Sequence, residues 1–231
     1  MTTRPSTPAR RPSLPGRLKR TFDQIHFVRR AWGTIEKERT GTEECMKYVP
    51  PPLDTYYRGI TVHADRATIW RWLCQMRAAP YSYDWIDNYG RRSPRELTPG
   101  LDELQAGQPI LVIFEVVGFE RDRHITVQIK PGLRWFWGNT CCTFRVEDAE
   151  DGNGCRLLMI MTVHDLPGRL AGRTGVYQLR KYFFPWAELV MVHKQFRTFK
   201  MLAENQAAED SSHASDSPKK EAGHAGVIRP R

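Results

Sequence analysis

The side chains that could do chemistry are histidines, cysteines and a short loop rich in aspartate and aromatic residues. The seven histidines are scattered without the close spacing of metal ligands. Cys141 and Cys142 are adjacent, so they would point to opposite faces of a strand, and no nearby base activates either thiol. Gly168, Gly172 and Gly175 do not follow the pattern of a phosphate-binding loop. The sequence therefore predicts no metal site, no cofactor and no catalytic residue.

The loop over residues 80–92 combines Tyr83, Asp84, Trp85 and Asp87. These side chains could form the polar rim of a pocket. The alternative is loop packing, in which the aspartates cap a turn. Both interpretations stay open from the residues alone.

Alternating polar and apolar residues predict an antiparallel sheet. An early strand covers 56–63, and four more lie near 109–118, 123–130, 133–147 and 155–164. The strand over 133–147 is predicted to be bent or split at Gly138-Asn139. Polar side chains in each strand identify the face turned to water, and the remaining residues should face the interior. The outward polar residues include Thr126, Thr143, Arg145, Arg156 and Thr162. Together with Tyr83 and Trp85 of the loop, these inward positions are the candidate ligand contacts: Phe114, Val116, Trp135, Trp137, Phe144, Met159 and Met161.

A long C-terminal helix is predicted from about Phe184 to Asn205. Its apolar side contains Trp186, Leu189, Val190, His193, Phe196, Phe199 and Leu202. Trp186 and Val190 complete the candidate pocket. The order of strand, helix, antiparallel strands and long helix indicates an α+β fold, with a curved sheet wrapped around the C-terminal helix.

The tails differ from this central part. Residues 1–13 are predicted to be a disordered arm, and residues 206–231 a disordered tail. Residues 14–38 show a helical apolar stripe with arginines beside it, so we predict a basic amphipathic helix. It either docks on the domain through its apolar face or contacts an anionic membrane weakly through residues 14–35.

Composition narrows the class of protein. The formal net charge is +9, but residues 1–40 supply a surplus of seven positive charges, so the high pI does not indicate specific nucleic-acid binding. Five cysteines cannot all pair, and no apolar run approaches a membrane span. We therefore expect a cytoplasmic protein with reduced thiols and at most peripheral membrane contact.

Two segments resemble a known family. Residues 69–76 (IWRWLCQM) and 80–88 (PYSYDWIDN) resemble the signature of bacterial SRPBCC proteins, the START/Bet v 1-like group that includes polyketide cyclase/dehydrase and lipid-transport proteins. The resemblance extends over about residues 55–203. It implies a helix-grip domain over that span, with a pocket between the sheet and the long C-terminal helix.

The inward positions contain no carboxylate, histidine, lysine or arginine. An apolar lining favours binding of a small hydrophobic molecule, such as a lipid or a polyketide-like compound, without evident catalysis. Two alternatives stay open. One is a polyketide cyclase/dehydratase-like enzyme with its acids and bases in the 81–92 loop, and the other is a membrane- or partner-docking protein whose core is filled.

Overall fold

A computed structural model describes residues 27–51, 53–164 and 175–216. The strands are β1 (Ala31–Trp32), β2 (Asp54–Val62), β3 (Pro109–Ile110), β4 (Phe114–Glu120), β5 (His124–Ile129), β6 (Asn139–Asp148) and β7 (Cys155–His164). The helices are α1 (Arg66–Cys74), α2 (Asp84–Asp87), α3 (Arg134–Trp137) and α4 (Gly175–Asp216). Short 3₁₀ helices cover Glu36–Arg39, Glu44–Tyr48, Gln75–Arg77 and Pro131–Leu133.

The strands form one seven-stranded curved sheet in the order β1-β2-β7-β6-β5-β4-β3. Every pair is antiparallel except β1 and β2, which run parallel. Helices α1 and α4 pack on one face, here called the inner face, and enclose the main hydrophobic core. The arrangement is the helix-grip fold, and the predicted α+β class is confirmed.

Helix α4 is longer than the sequence predicts. It extends through Asp216, so residues 206–216 of the predicted disordered tail are helical, while 217–231 lie outside the described residues. Pro185 lies inside the helix instead of in its first turn. Among the described side chains, Leu189, Phe196, Phe199 and Leu202 are buried as the apolar stripe predicts.

Two predicted strands are interrupted. The strand over 133–147 is split at Gly138 (φ +76°), as predicted, and β6 begins at Asn139. The part before the split is wrong, because residues 134–137 form α3. The strand over 109–118 is divided into β3 and β4 by a turn in which Leu111 and Val112 have positive φ. Both interruptions lie at the same end of the sheet, here called the α3 end.

The predicted helix over residues 14–38 is wrong in its second half. Residues 14–26, like the arm 1–13, lie outside the described residues, and 27–30 are helical. Residues 31–32 instead form β1 on the edge of β2, and 36–39 form a 3₁₀ helix. Pairing with an open sheet edge satisfies backbone groups that a short surface helix leaves to water, so the tertiary contact overrides the helical pattern.

Residues 36–51, here called the strap, cross the outer face of the sheet. Cys45 and Val49 pack with Cys141, Leu158 and Ile160 in a second buried cluster. The threonines that the strand pattern places on the outer face are indeed there, but they are buried: Thr126, Thr143 and Thr162. The face assignment is therefore correct, although water does not cover that face.

Two ion pairs anchor the strap to the sheet. Arg156 donates through two nitrogens to Glu38, over 2.7 and 2.9 Å. Arg145 donates to Glu43 over 2.5 Å. Both carboxylates are buried. The sequence predicts that the two arginines face solvent, but in the structure they connect the sheet to the strap.

Candidate functional site

A buried ion pair lies between the inner face of the sheet and the N-terminal half of α4. The guanidinium of Arg58 on β2 donates to Glu188 of α4, with 2.5 Å between Nη2 and Oε2. The side chain of Arg58 is 0% exposed and that of Glu188 is 8% exposed. Both ionisable groups therefore lie in an apolar interior, where charges are rarely found without a partner.

The pleat of β2 explains why Arg58 faces inward. Tyr56, Arg58, Ile60 and Val62 alternate along one face, and Arg58 lies opposite Met159 of β7. The guanidinium also donates to the backbone carbonyls of Tyr57 and Arg29. Three acceptors therefore hold this cation at the β1 edge of the inner face.

Glu188 reaches the pair because the helical period places it there. Phe184 and Val192, one turn to either side, pack against the main core, and Gln195 is buried in the next turn. Burial raises the pKa of Glu188 to about 7, while the charge and hydrogen bond of Arg58 act to lower it. A carboxyl group with that pKa can accept or release a proton at neutral pH.

The pair is not fully satisfied. Oε1 of Glu188 and Nε of Arg58 are buried and have no hydrogen-bond partner among the described residues. One acceptor and one donor are thus available within an otherwise apolar region. A buried polar atom without a partner costs about 1–3 kcal/mol, so a polar group of a ligand placed here would be stabilising.

Partly buried apolar side chains surround the pair. Trp32, Ile60 and Val192 pack against the main core without being fully enclosed. Trp32 meets the ring of His193 edge-on, with 4.5 Å between centroids. Burial, with the charge of Arg197 as a smaller cause, lowers the pKa of His193.

Several predicted contact residues are in the core beneath this region. Val116, Phe144, Met159 and Met161 are buried in the main cluster, and Phe114 packs against it. Trp137 is half-buried and contacts Phe184 of α4, with 5.7 Å between ring centroids. The structure brings these six residues to the inner face, and their contact with a ligand stays a prediction.

The other predicted contact residues do not lie on the inner face. Trp135 lies on α3, not at the predicted inward position of a strand, and is 74% exposed. Trp186 and Val190 face away from the sheet, because the helical turn that carries Glu188 inward carries them outward. Trp85 is exposed on α2, and Tyr83, half-buried, directly precedes that helix.

The polar residues of the 81–92 loop are engaged in holding the loop. Asp84 accepts hydrogen bonds from the backbone N–H and the hydroxyl of Ser93. Ser82 donates to Asp87, whose pKa burial raises. These contacts favour the loop-packing alternative over a pocket rim.

Sequence reasoning missed the site because it assigned no face to β2. Arg58 lies between Tyr56 and Ile60 on the inward face of β2, and the alternation of side chains along a strand is enough to predict this position. Glu188 lies four residues from both Phe184 and Val192 on the stripe of α4. A charged residue on each of two predicted apolar faces would have suggested a pair.

An open surface depression of about 670 Å³ lies at the opposite end of the sheet, where the β6–β7 hairpin meets α1. It is lined by His63, Ala64, Asp65, Arg66, Ala67, Asp122, Asp148, Gly152, Asn153 and Gly154. Six of these ten residues have polar or charged side chains, and two of them, Arg66 and Asp148, form an ion pair. This depression is remote from the predicted apolar contacts.

Comparison with known proteins gives likeness to solved structures only. No family model matches the chain, and no curated protein matches it. The di-domain ARO/CYC protein StfQ from the steffimycin biosynthetic pathway is 15% identical (TM-score 0.43) over 68% of this chain and 52% of that one. This chain therefore spans about half the length of StfQ.

Two further structures show the same level of likeness. Norcoclaurine synthase from Thalictrum flavum, a point mutant with a transition-state analogue, is 12% identical (TM-score 0.40) over 68% of this chain and 98% of that chain. A Staphylococcus aureus protein of unknown function is 11% identical (TM-score 0.41) over 68% and 96%. Identities this low concern the fold alone, so the SRPBCC family stays a resemblance and the function must be argued from the site.

Proposed function

We propose that this protein binds a small, mainly apolar molecule that carries one neutral polar group, between the inner face of the sheet and the N-terminal half of α4. The observation that carries the proposal is the Arg58–Glu188 pair, which is buried among apolar side chains with one acceptor and one donor unused. A ligand of this kind would supply the missing hydrogen bonds and cover the surrounding apolar surface.

The charge of the site favours a hydroxyl or carbonyl group over a carboxylate. Arg58 already has an anionic partner, so the pair carries little net charge when Glu188 is ionised. A second carboxylate beside Glu188 would be repelled, and desolvating it would add a further cost. A hydroxyl can donate to Oε1 of Glu188, and a carbonyl can accept from Nε of Arg58.

Matched aromatic probes test the proposal. We expect the protein to bind 2-naphthol more tightly than naphthalene or 2-naphthoic acid, by roughly 2- to 10-fold, which corresponds to one hydrogen bond. In Glu188→Leu the preference for 2-naphthol over naphthalene should disappear. Fluorescence titration and native mass spectrometry measure these affinities on protein shown to be folded by circular dichroism.

A control variant and a contrary result sharpen the test. Phe119→Ala changes an exposed aromatic residue near the β4–β5 turn, far from the pair, and should leave all three affinities unchanged. If none of the probes binds the folded protein, the inner face is a filled core and the proposal fails.

One observation also favours an enzyme. A carboxyl group with a pKa of about 7 beside a fixed cation suits general acid–base catalysis, as in a cyclase/dehydratase-like reaction on a polyketide-like substrate. Glu188→Gln separates the two functions, because it retains a polar side chain but cannot transfer a proton. An enzyme would convert a host metabolite, seen by mass spectrometry as loss of water, with the original protein and not with the variant.

The weak anionic membrane contact through residues 14–35 stays a separate prediction. In its favour, Phe27, Val28 and Ile35 are exposed. Against it, β1 and the contact of Trp32 with His193 show that residues 31–32 dock on the domain, which is the alternative account of this segment.

A further inference from the structure

The outward side of the N-terminal half of α4 is apolar as well as the inward side. Tyr182 and Phe183 are each 64% exposed, and Trp186 and Val190 are also exposed. Tyr182, Trp186 and Val190 are spaced four residues apart, so they form one stripe on the helix. A helix covered on one side by the sheet would normally show polar residues along this stripe.

Trp135 on α3 is a further large apolar side chain that is exposed. Trp137, two residues further on, contacts Phe184 in the first described turns of α4. This ring contact brings α3 against α4 at the α3 end of the molecule. We call the set Trp135, Tyr182, Phe183, Trp186 and Val190 the aromatic face.

The charges beside the aromatic face are positive. Lys194 and Arg197 are exposed and continue the stripe beyond Val190. Between residues 182 and 203 the one acidic residue is Glu188, which is buried against Arg58. The exposed surface of this part of α4 thus combines aromatic side chains with cations and carries no exposed anion.

We propose that the aromatic face docks on the surface of an anionic lipid bilayer. Tryptophan and tyrosine favour the boundary between hydrocarbon and headgroups, and lysine and arginine one or two turns away can reach the phosphates with their long side chains. The contact is peripheral: within the described residues, no helix is long and apolar enough to cross a membrane.

Charge also distinguishes a bilayer from a second copy of this chain. In a symmetric dimer formed through the aromatic face, the same surface would meet itself, and Lys194 and Arg197 of both copies would approach each other. An anionic bilayer instead supplies the opposite charge over the whole surface. Charge complementarity therefore selects the lipid surface.

Co-sedimentation of the full chain with vesicles tests the proposal. We expect binding to vesicles of phosphatidylcholine with phosphatidylglycerol, weaker binding to phosphatidylcholine alone, and release at high salt. Trp135→Ala combined with Trp186→Ala should reduce binding by at least about tenfold. Lys194→Glu combined with Arg197→Glu should abolish the preference for the anionic vesicles.

The matched control is Phe119→Ala, which changes an exposed aromatic residue at the other end of β4 and should bind as the original protein does. All of these side chains are exposed, so the variants should keep the melting temperature of the original protein. Failure of the original protein to bind at low salt overturns the proposal. So does binding that the aromatic-face variants leave unchanged, or a dimer in sedimentation velocity that these variants dissociate.

Discussion

The buried pair of Arg58 and Glu188 makes the stability of the protein depend on pH. Burial raises the pKa of Glu188 from its ordinary value of 4.5 to about 7, so the folded protein holds this proton more tightly than the unfolded chain does. The contribution of Glu188 to stability is therefore largest below about pH 4.5 and is lost as the pH rises towards 7. Other carboxylates add their own dependence, which a comparison with a variant removes.

We expect Glu188→Gln to remove this pH dependence. Relative to the variant, the original protein should lose on the order of 3 kcal/mol of unfolding free energy between pH 4.5 and pH 8, because only the original protein has this raised pKa. Urea unfolding of both proteins at several pH values measures the difference. Parallel stability curves would show that Glu188 ionises as in water.

We expect Arg58→Met to destabilise the protein by about 3–5 kcal/mol at pH 8, because it leaves the Glu188 carboxylate buried without its cation. The loss should be smaller at pH 5, where Glu188 holds a proton and carries no charge. Adding Glu188→Leu should recover most of the lost stability, since a buried pair can be replaced by apolar residues of similar size. A double variant no more stable than Arg58→Met would contradict this account.

In the strap, too, a buried carboxylate paired with an arginine makes stability depend on pH. Burial alone would raise the pKa of Glu38, but the hydrogen bonds from Arg156 and from the backbone N–H of Ile35 together hold it below its ordinary value. A carboxylate with a lowered pKa contributes stability above its unfolded value, and this contribution is lost as the pH falls through the folded value. The strap should therefore loosen in acid.

We expect Glu38→Gln to destabilise the protein by about 2–4 kcal/mol at pH 7, because Arg156 then loses a charged partner with two hydrogen bonds. The effect should decrease as the pH falls below 4.5 towards the lower pKa of folded Glu38, where the folded protein also takes up the proton. Glu150→Gln is the matched control. Its pair with Lys37 is exposed, so it should change stability by less than about 1 kcal/mol. Equal effects in urea unfolding would mean that the strap contributes little.

At the scale of the whole molecule, the strap decides what the folding unit is. Sequence analysis placed the domain at residues 55–203, with the N-terminal segment outside it. In the structure Cys45 accepts a hydrogen bond from Thr162 and donates its backbone N–H to Thr143, so strap and sheet share a buried polar contact. The outer face of the sheet therefore belongs to the core.

We expect deletion of residues 1–53 to abolish cooperative thermal unfolding or to cause aggregation, because it exposes the cluster of Cys141, Leu158 and Ile160. Deletion of residues 1–26 is the matched control, because it keeps the strap, and it should be less destabilising. Calorimetry and sedimentation of both proteins measure the difference. A cooperative melt at the original temperature without residues 1–53 would show that the strap is dispensable.

Sequence alone determined the fold class and most of the sheet, because strand alternation and the helical stripe repeat over many residues. β5 and β7 lie where period two predicts them, and the inward placement of Phe144, Met159 and Met161 followed from the same pattern. Strand alternation could also have predicted one residue of the candidate site. Arg58 lies on a predicted strand, although its face was not assigned.

The tertiary structure decided the features that depend on partners distant in sequence. Residues 31–32 became a strand because the edge of β2 was open to them, and Thr126 and Thr143 became buried because the strap crosses them. Glu188 and Arg58 are separated by 130 positions, so no local pattern could predict their ion pair. Sequence periodicity indicates which face of a strand or helix a side chain occupies. The neighbours and the burial of that side chain, and therefore its pKa, depend on which other parts of the chain pack against that face.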